Sequence, residues 1–207
     1  KSSEGELPSS NAGAVLAIAD KLDTLITFFS VGLTPKGSND PYALRRQAYG
    51  IVRIIENKGW KFPVGSLHQE IEEMINNNEA LFGIKLTETK QPIDTFLKAR
   101  MKQWFNGKDF RHDIIEAVVE SEQTDLHQMF EIASILRQHA QTAEFKPTVE
   151  SLTRVINLSE KLDASMAEVD PQLFENDAEK ELFEAFNQIK LNAGKLSLND
   201  NFEALKG

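Results

Sequence analysis

Ala17-Ile18-Ala19-Asp20-Lys21-Leu22-Asp23-Thr24-Leu25 and, after a polar gap, Asp40-Pro41-Tyr42-Ala43-Leu44-Arg45-Arg46 are the two segments from which the fold is read. Around the first, Val15, Ile18, Leu22, Leu25 and Phe29 recur at steps of three and four, which places them on one stripe of a helix over about 11–30. Residues 32–39 hold the Gly, Pro and Ser of a loop. The second segment predicts a helix start, with Asp40 as cap and Pro41 in the first turn, where a missing N–H costs nothing. Leu44, Ala48, Ile51 and Ile55 form the expected buried stripe, and Asn57-Lys58-Gly59 ends the helix.

The same period continues outward. Ser66 and Gln69 make a capping box ahead of Leu67, Ile71 and Met74. Ile93, Leu97, Met101, Trp104 and Phe105 pattern a helix closed by Gly107. Asp125 precedes Met129, Ile132 and Leu136, and Pro147 opens a helix carrying Leu152, Val155, Ile156 and Leu162. Asp170-Pro171 and Asn176 or Asp177 start an acidic pair of helices with Leu173, Phe174, Leu182, Phe183 and Phe186. Residues 60–64 and 81–86 alone suit extended chain, and neither has a convincing partner strand. The prediction is an all-α helical bundle with no fixed-period repeat. A helix capped by Asn199 or Asp200 has too few residues left to pack, so both ends are expected to be boundaries within a longer protein.

With 207 residues and 41% hydrophobic composition, the chain can bury one sizeable core or two small ones. It has no cysteine, so disulfides and thiolate zinc sites are excluded, and a reducing, cytoplasmic setting is expected. No apolar run reaches about 18 residues, so no membrane span is expected. The net charge of -9 argues against a nucleic-acid partner until its distribution is considered. Residues 163–184 carry eight acidic side chains and one lysine, whereas two other windows are basic. Residues 42–62 hold Arg45, Arg46, Arg53, Lys58 and Lys61 against Glu56, and 96–111 hold Lys98, Arg100, Lys102, Lys108 and Arg111 against Asp109. An acidic protein with local cationic faces binds RNA with strong salt dependence.

Few arrangements suggest chemistry. Asp20 and Asp23 share a helix face that suits a divalent cation or acid/base work, but a solvated face opposite the apolar stripe is the favoured reading. Gly32 to Gly37 have phosphate-loop spacing without the lysine that must follow, so no nucleotide site is assigned. His112-Asp113 is better explained as a helix start capped by one of the two than as a metal dyad. His68, His127 and His139 show no ligand spacing, no catalytic residue is assigned, and no metal is expected. Arg46, Gly50 and Arg53 lie on one helical face, where glycine costs about 1 kcal/mol against alanine and so implies a close neighbour. That neighbour is either another helix or a phosphate or unstacked base, and spacing does not choose.

The stretch Asp40-Pro41-Tyr42-Ala43-Leu44-Arg45-Arg46 resembles the DALR-type anticodon-binding domains of aminoacyl-tRNA synthetases. Taken with residues 17–25, 28–33 and Gly50-Ile51-Val52-Arg53-Ile54-Ile55, it resembles the β subunit of the bacterial two-subunit glycyl-tRNA synthetases. Residues 110–118, Arg154-Val155-Ile156-Asn157 and the segments 173–175 and 178–179 are similar to the carboxy-terminal part of that subunit.

This resemblance implies that residues 1–38 are the last helix of an HD-like domain plus a linker, and 39–207 a helical anticodon-binding domain whose last helices lie beyond Gly207. Asp20 would occupy the place of an HD enzyme's final metal aspartate, but its partners would lie upstream, and no metal role is carried over. Glycine activation with ATP and Mg belongs in the family to a separate α subunit, two α with two β, so this fragment is expected to need no cofactor and to lack a complete active site. The expected partners are glycine tRNA and the α subunit. Glycine codons are GGN, so the anticodons share two cytosines that can be splayed out and recognised at their edges. Arg45, Arg46 and Arg53 are the expected RNA-binding residues, with Arg100, Lys102 and Arg111 positioning phosphates. Trp104 is assigned to the core. The alternative is a helical module for synthetase subunit assembly without direct RNA contact, to which the acidic 163–184 face would contribute.

Overall fold

The computed structural model describes residues 5–79, 90–161 and 169–192. Among them are eight α-helices, one 3-10 turn and no β-strand. The helices are α1 (Asn11–Ser30), α2 (Leu44–Lys58), α3 (Val64–Asn77), α4 (Lys90–Asn106), α5 (His112–Val119), α6 (Leu126–His139), α7 (Phe145–Ser159) and α8 (Asp177–Asn192). The all-α prediction is correct. The expected capped helix at 199–200, Leu162, and the extended candidate at 81–86 lie outside the described residues. Residues 60–64 form no strand; they contribute one isolated bridge, Pro63 to Asp125, on the way into α3.

The chain divides into two compact units, Lys1–Ser134 and Ile135–Gly207. In the first unit α2 packs against α1 and α4, α4 also against α3 and α5, and α1 touches α4. Ser10 starts α1 by accepting the Gly13 N–H at 3.0 Å. The helix ends in a Schellman arrangement in which Leu33 N–H donates to the Phe28 carbonyl and Gly32 N–H to that of Phe29. Gly32 takes φ +76°, a conformation that costs glycine nothing. The buried stripe of α1 is Ala14, Ile18, Leu22, Leu25, Ile26 and Phe29. Val15, expected inside, is 58% exposed, because the stripe enters the core one residue earlier than the counted spacing implied.

In α2 the predicted Leu44, Ala48, Ile51 and Ile55 are all buried, with Val52 and Ile54 beside them. Its start differs from expectation: the helix begins at Leu44, and Pro41 belongs to the turn before it. Asp40 still caps it, its carboxylate accepting the N–H groups of Leu44 at 2.8 Å and Arg45 at 3.0 Å. Ile93, Leu97, Met101 and Phe105 of α4 are fully buried, as their spacing predicts. Trp104, only half-buried, packs edge-on against Phe105 and Phe130, with ring centroids 5.5 and 4.9 Å away.

Other predicted starts move. Helix α3 begins at Val64, upstream of Ser66, and Gln69 donates instead to Glu73, so the capping box does not form. Val64, His68 and Ile75 are buried among its described side chains, while Met74 is 53% exposed. The cap position of α5 is Arg111, and Asp113 sits inside the first turn. Asp125 caps α6 as expected, accepting from His127 and Gln128.

In the second unit α7 begins at Phe145, two residues before Pro147, and none of its residues is buried. Val155 is 62% and Ile156 55% exposed. Of the acidic pair, the first is a single 3-10 turn, Pro171–Leu173, capped by Asp170. The second is α8, where Asn176 accepts the Glu179 N–H at 3.1 Å.

These burials set an expected contrast in urea denaturation. Ile51→Ala removes a fully buried side chain held between helices and should cost about 2–5 kcal/mol. Val155→Ala, on an exposed face, should change stability by no more than about 0.5 kcal/mol.

Candidate nucleic-acid interface

The site grows from the cap of α2. With both Asp40 oxygens engaged by backbone N–H groups, the turn before Leu44 closes through Ala43, which adopts φ 56°. The first helical turn then presents Arg45 and Arg46, and Tyr49 follows one turn on. Arg45 reaches back to donate to the Gly37 carbonyl at 2.7 Å, which holds the preceding loop against the helix. The buried stripe of α2 sits against α1 and α4, so the flank carrying these residues faces the neighbouring flank of α4.

From α4 come Arg100 and Gln103, one turn apart. Arg100 lies over the Phe96 ring, 5.5 Å from its centroid, and donates to Gln103 Oε1 at 3.2 Å. Its Nε is buried and finds no acceptor among the described residues. Burial, and then the nearby charge of Arg45, hold the Arg100 pKa below the ordinary value, partly offset by Asp40. Arg45, Arg46, Tyr49, Arg100 and Gln103, with Asp40 and Ala43, line a cavity of about 330 Å³. Three of the six sequence-predicted cations therefore converge from two helices.

The other three stand elsewhere. Arg53 lines an adjoining cavity of about 320 Å³ and donates to the Gly5 carbonyl at 3.2 Å. Lys58 on the same helix donates to the Ser9 carbonyl, so the segment before α1 is held along α2. Arg46 lines both cavities. Lys102 pairs with Glu116 across α4 and α5, and Arg111 pairs with Asp113. Each of these two cations is thus countered by a carboxylate, and neither lines the arginine cavity. The basic window of α4 is further absorbed by Lys98, which donates to the Ser121 carbonyl, and Lys108, which lies over Trp104.

The question left open at Gly50 has a structural answer. A Cβ there would come within 2.8 Å of Lys21 Cε, so the close neighbour is the lysine side chain of α1. Asp20 and Asp23 are exposed, and the described residues contain no group of three or more His, Asp or Glu side chains arranged to hold a metal. Tyr49 and Gln103 were missed by sequence reasoning. The available signal was their helical spacing, Tyr49 four residues after Arg45 and Gln103 three after Arg100, which becomes informative once α2 and α4 are known to be neighbours.

Comparison with known proteins gives a consistent result. The family described as glycyl-tRNA synthetase beta subunit matches residues 1–120. The chain is 44% identical over 207 residues to the glycine–tRNA ligase beta subunit of Lactiplantibacillus plantarum, covering 99% of this chain and 30% of that protein. It is 42% identical to the one from Limosilactobacillus reuteri over the same shares. For Listeria monocytogenes the identity is 41%, over 98% of this chain and 29% of the relative. The chain thus spans under a third of the length of these relatives.

Two tests follow from this geometry. Gly50→Ala should fold normally, since only a flexible lysine must shift and alanine favours the helix by about 1 kcal/mol; thermal melts should show a change within about that amount. Glu116 is held below the usual 4.5, first by the hydrogen bond from Lys102. A carboxylate lowered in the fold contributes stability above its ordinary pKa and loses it as pH falls through the lowered one. Glu116→Gln should therefore melt below wild type at neutral pH, with the difference vanishing in acid.

Proposed function

Because the chain belongs to the glycyl-tRNA synthetase beta-subunit family, we propose that it is the part of that subunit that binds glycine tRNA through its anticodon, in support of aminoacylation. The observation that carries this reading is the convergence of Arg45, Arg46 and Arg100 on one cavity of an otherwise acidic protein. Guanidinium groups suit phosphate oxygens and the ring acceptors of cytosine, and a local cationic surface suffices for RNA even where net charge is negative. The Arg46 side chain is exposed and makes no hydrogen bond or ion pair among the described residues, so it is available without breaking an internal contact. Arg53 flanks the site. Lys102 and Arg111 would contribute to phosphate positioning only by exchanging their carboxylate partners.

On this reading residues 1–38 close an HD-like domain and 39–207 form the anticodon-binding part. Helix α1 packs directly on α2, so the two would meet at a packed helix pair. Glycine activation with ATP and Mg would rest with a separate α subunit, in the cytoplasm; among the described residues no helix is long and apolar enough to cross a membrane. A second reading, docking to another synthetase subunit, is favoured for α7 by its exposed Val155, Ile156 and Leu158.

The test is filter binding of glycine tRNA, and of an anticodon mutant, to the full-length subunit in its native assembly. Arg46→Ala should weaken glycine-tRNA binding several-fold at moderate salt, reduce the salt slope by about one, and leave the melting temperature unchanged. Unchanged affinity removes Arg46 from the site, and equal affinity for the anticodon mutant rejects anticodon recognition.

A further inference from the structure

Charge does not balance in the cavity between α2 and α4. Three guanidinium groups line it, and the one carboxylate among its lining residues, Asp40, already accepts two backbone N–H groups. Arg45 lies close enough to disfavour the charge of Arg100, and the Arg100 Nε is buried without an acceptor among the described residues. A protein with nine excess negative charges has no shortage of carboxylates to place there, yet among the described residues none lines the cavity beyond Asp40. The group that would complete this site is an anion from outside the chain.

The remaining lining is unlike that of a simple phosphate site. Tyr49 adds a half-buried aromatic ring beside the arginines. Gln103 adds an amide whose orientation is set, because its Oε1 accepts from Arg100 and its Nε2 is left as a donor. The volume of about 330 Å³ is at the small end of ligand sites, enough for one small organic anion. An aromatic ring, a set of guanidinium groups and an oriented amide donor are the three things an unstacked nucleotide uses: a stacking face, a phosphate seat and a contact at the base edge.

We infer that this cavity seats a single unpaired ribonucleotide, its phosphate against Arg45, Arg46 and Arg100, its base stacked on the Tyr49 ring, and an acceptor on the base edge facing Gln103 Nε2. A lone donor at that edge can be met by pyrimidine O2 or by a purine ring nitrogen, so it orients the base without choosing its class. Arg100 acts here twice, on the phosphate and as the positioning residue for Gln103. The inference rests on the tRNA-binding reading and narrows it to one nucleotide and to two residues, Tyr49 and Gln103, outside the cations.

The test uses the full-length subunit in its native assembly and fluorescently labelled anticodon-stem-loop RNA, with a series of hairpins each abasic at one loop position. Tyr49→Ala should weaken the unmodified hairpin about tenfold and Tyr49→Phe hardly at all. Tyr49→Leu keeps the apolar bulk without the ring, should fold as wild type by melting, and should match the alanine variant. At one loop position the abasic substitution should cost wild type the same tenfold and cost the Tyr49→Leu variant nothing further. Arg100→Ala should show the same non-additivity with one neutral methylphosphonate linkage beside that position. If the losses are additive at every abasic position while Arg100→Ala still couples to a linkage, the cavity holds a phosphate alone and the base seat is overturned, with tRNA binding intact. If wild type binds neither the hairpin nor whole glycine tRNA, the reading beneath the inference is what fails.

Discussion

The carboxylate of Asp40, accepting the N–H groups of Leu44 and Arg45, decides where α2 begins, and most of the first unit follows from that beginning. Two backbone donors that would otherwise be unsatisfied at a helix end are taken up by one side chain, an interaction of about 1 kcal/mol in ordinary caps. Its value here is geometric more than energetic. Because the chain turns through Ala43 and enters the helix at Leu44, the stripe Leu44, Ala48, Ile51 and Ile55 faces α1 and α4. The same rotation places Arg45, Arg46 and Tyr49 along the flank next to Arg100 and Gln103. Core and cationic cavity are two faces of one helix whose rotation is set once.

What makes a cation available is the absence of a nearby acid. Lys102 and Arg111 occupy a window as basic as that of Arg45 and Arg46, but α5 brings Glu116 to the one, and Asp113 lies two residues from the other. In the cavity beside α2 the lining carboxylate, Asp40, is committed to the backbone. Net charge is therefore a poor guide to binding in this protein. An overall -9 coexists with a cavity in which positive groups outnumber negative ones.

Hydrophobic periodicity was a good guide wherever a partner helix exists. Ile93, Leu97, Met101 and Phe105 sit where their spacing placed them, and so does the whole predicted stripe of α2. Periodicity alone does not bury a face: α7 has a helical apolar pattern, and none of its residues is buried among the described residues. Start positions also shifted where several polar residues competed. Asp125 caps as predicted and Asp40 takes up the first N–H groups of α2 from before its cap residue Ala43, but Ser66 falls inside α3, and Asp113 falls inside the first turn of α5 behind Arg111.

The helices, their inward stripes, the family resemblance and the presence of two basic windows were all legible in the linear sequence, because each depends on residues within a few positions of one another. Which cations stay open, that Lys21 is the close neighbour of Gly50, and that Tyr49 and Gln103 line the cavity with Arg45, Arg46 and Arg100 were decided only by the packing of α1, α2 and α4. Those contacts join residues tens of positions apart. Charge pairing and cavity walls act through space, so a side chain's partner is set by which helix flank lies opposite, a relation that local spacing does not encode.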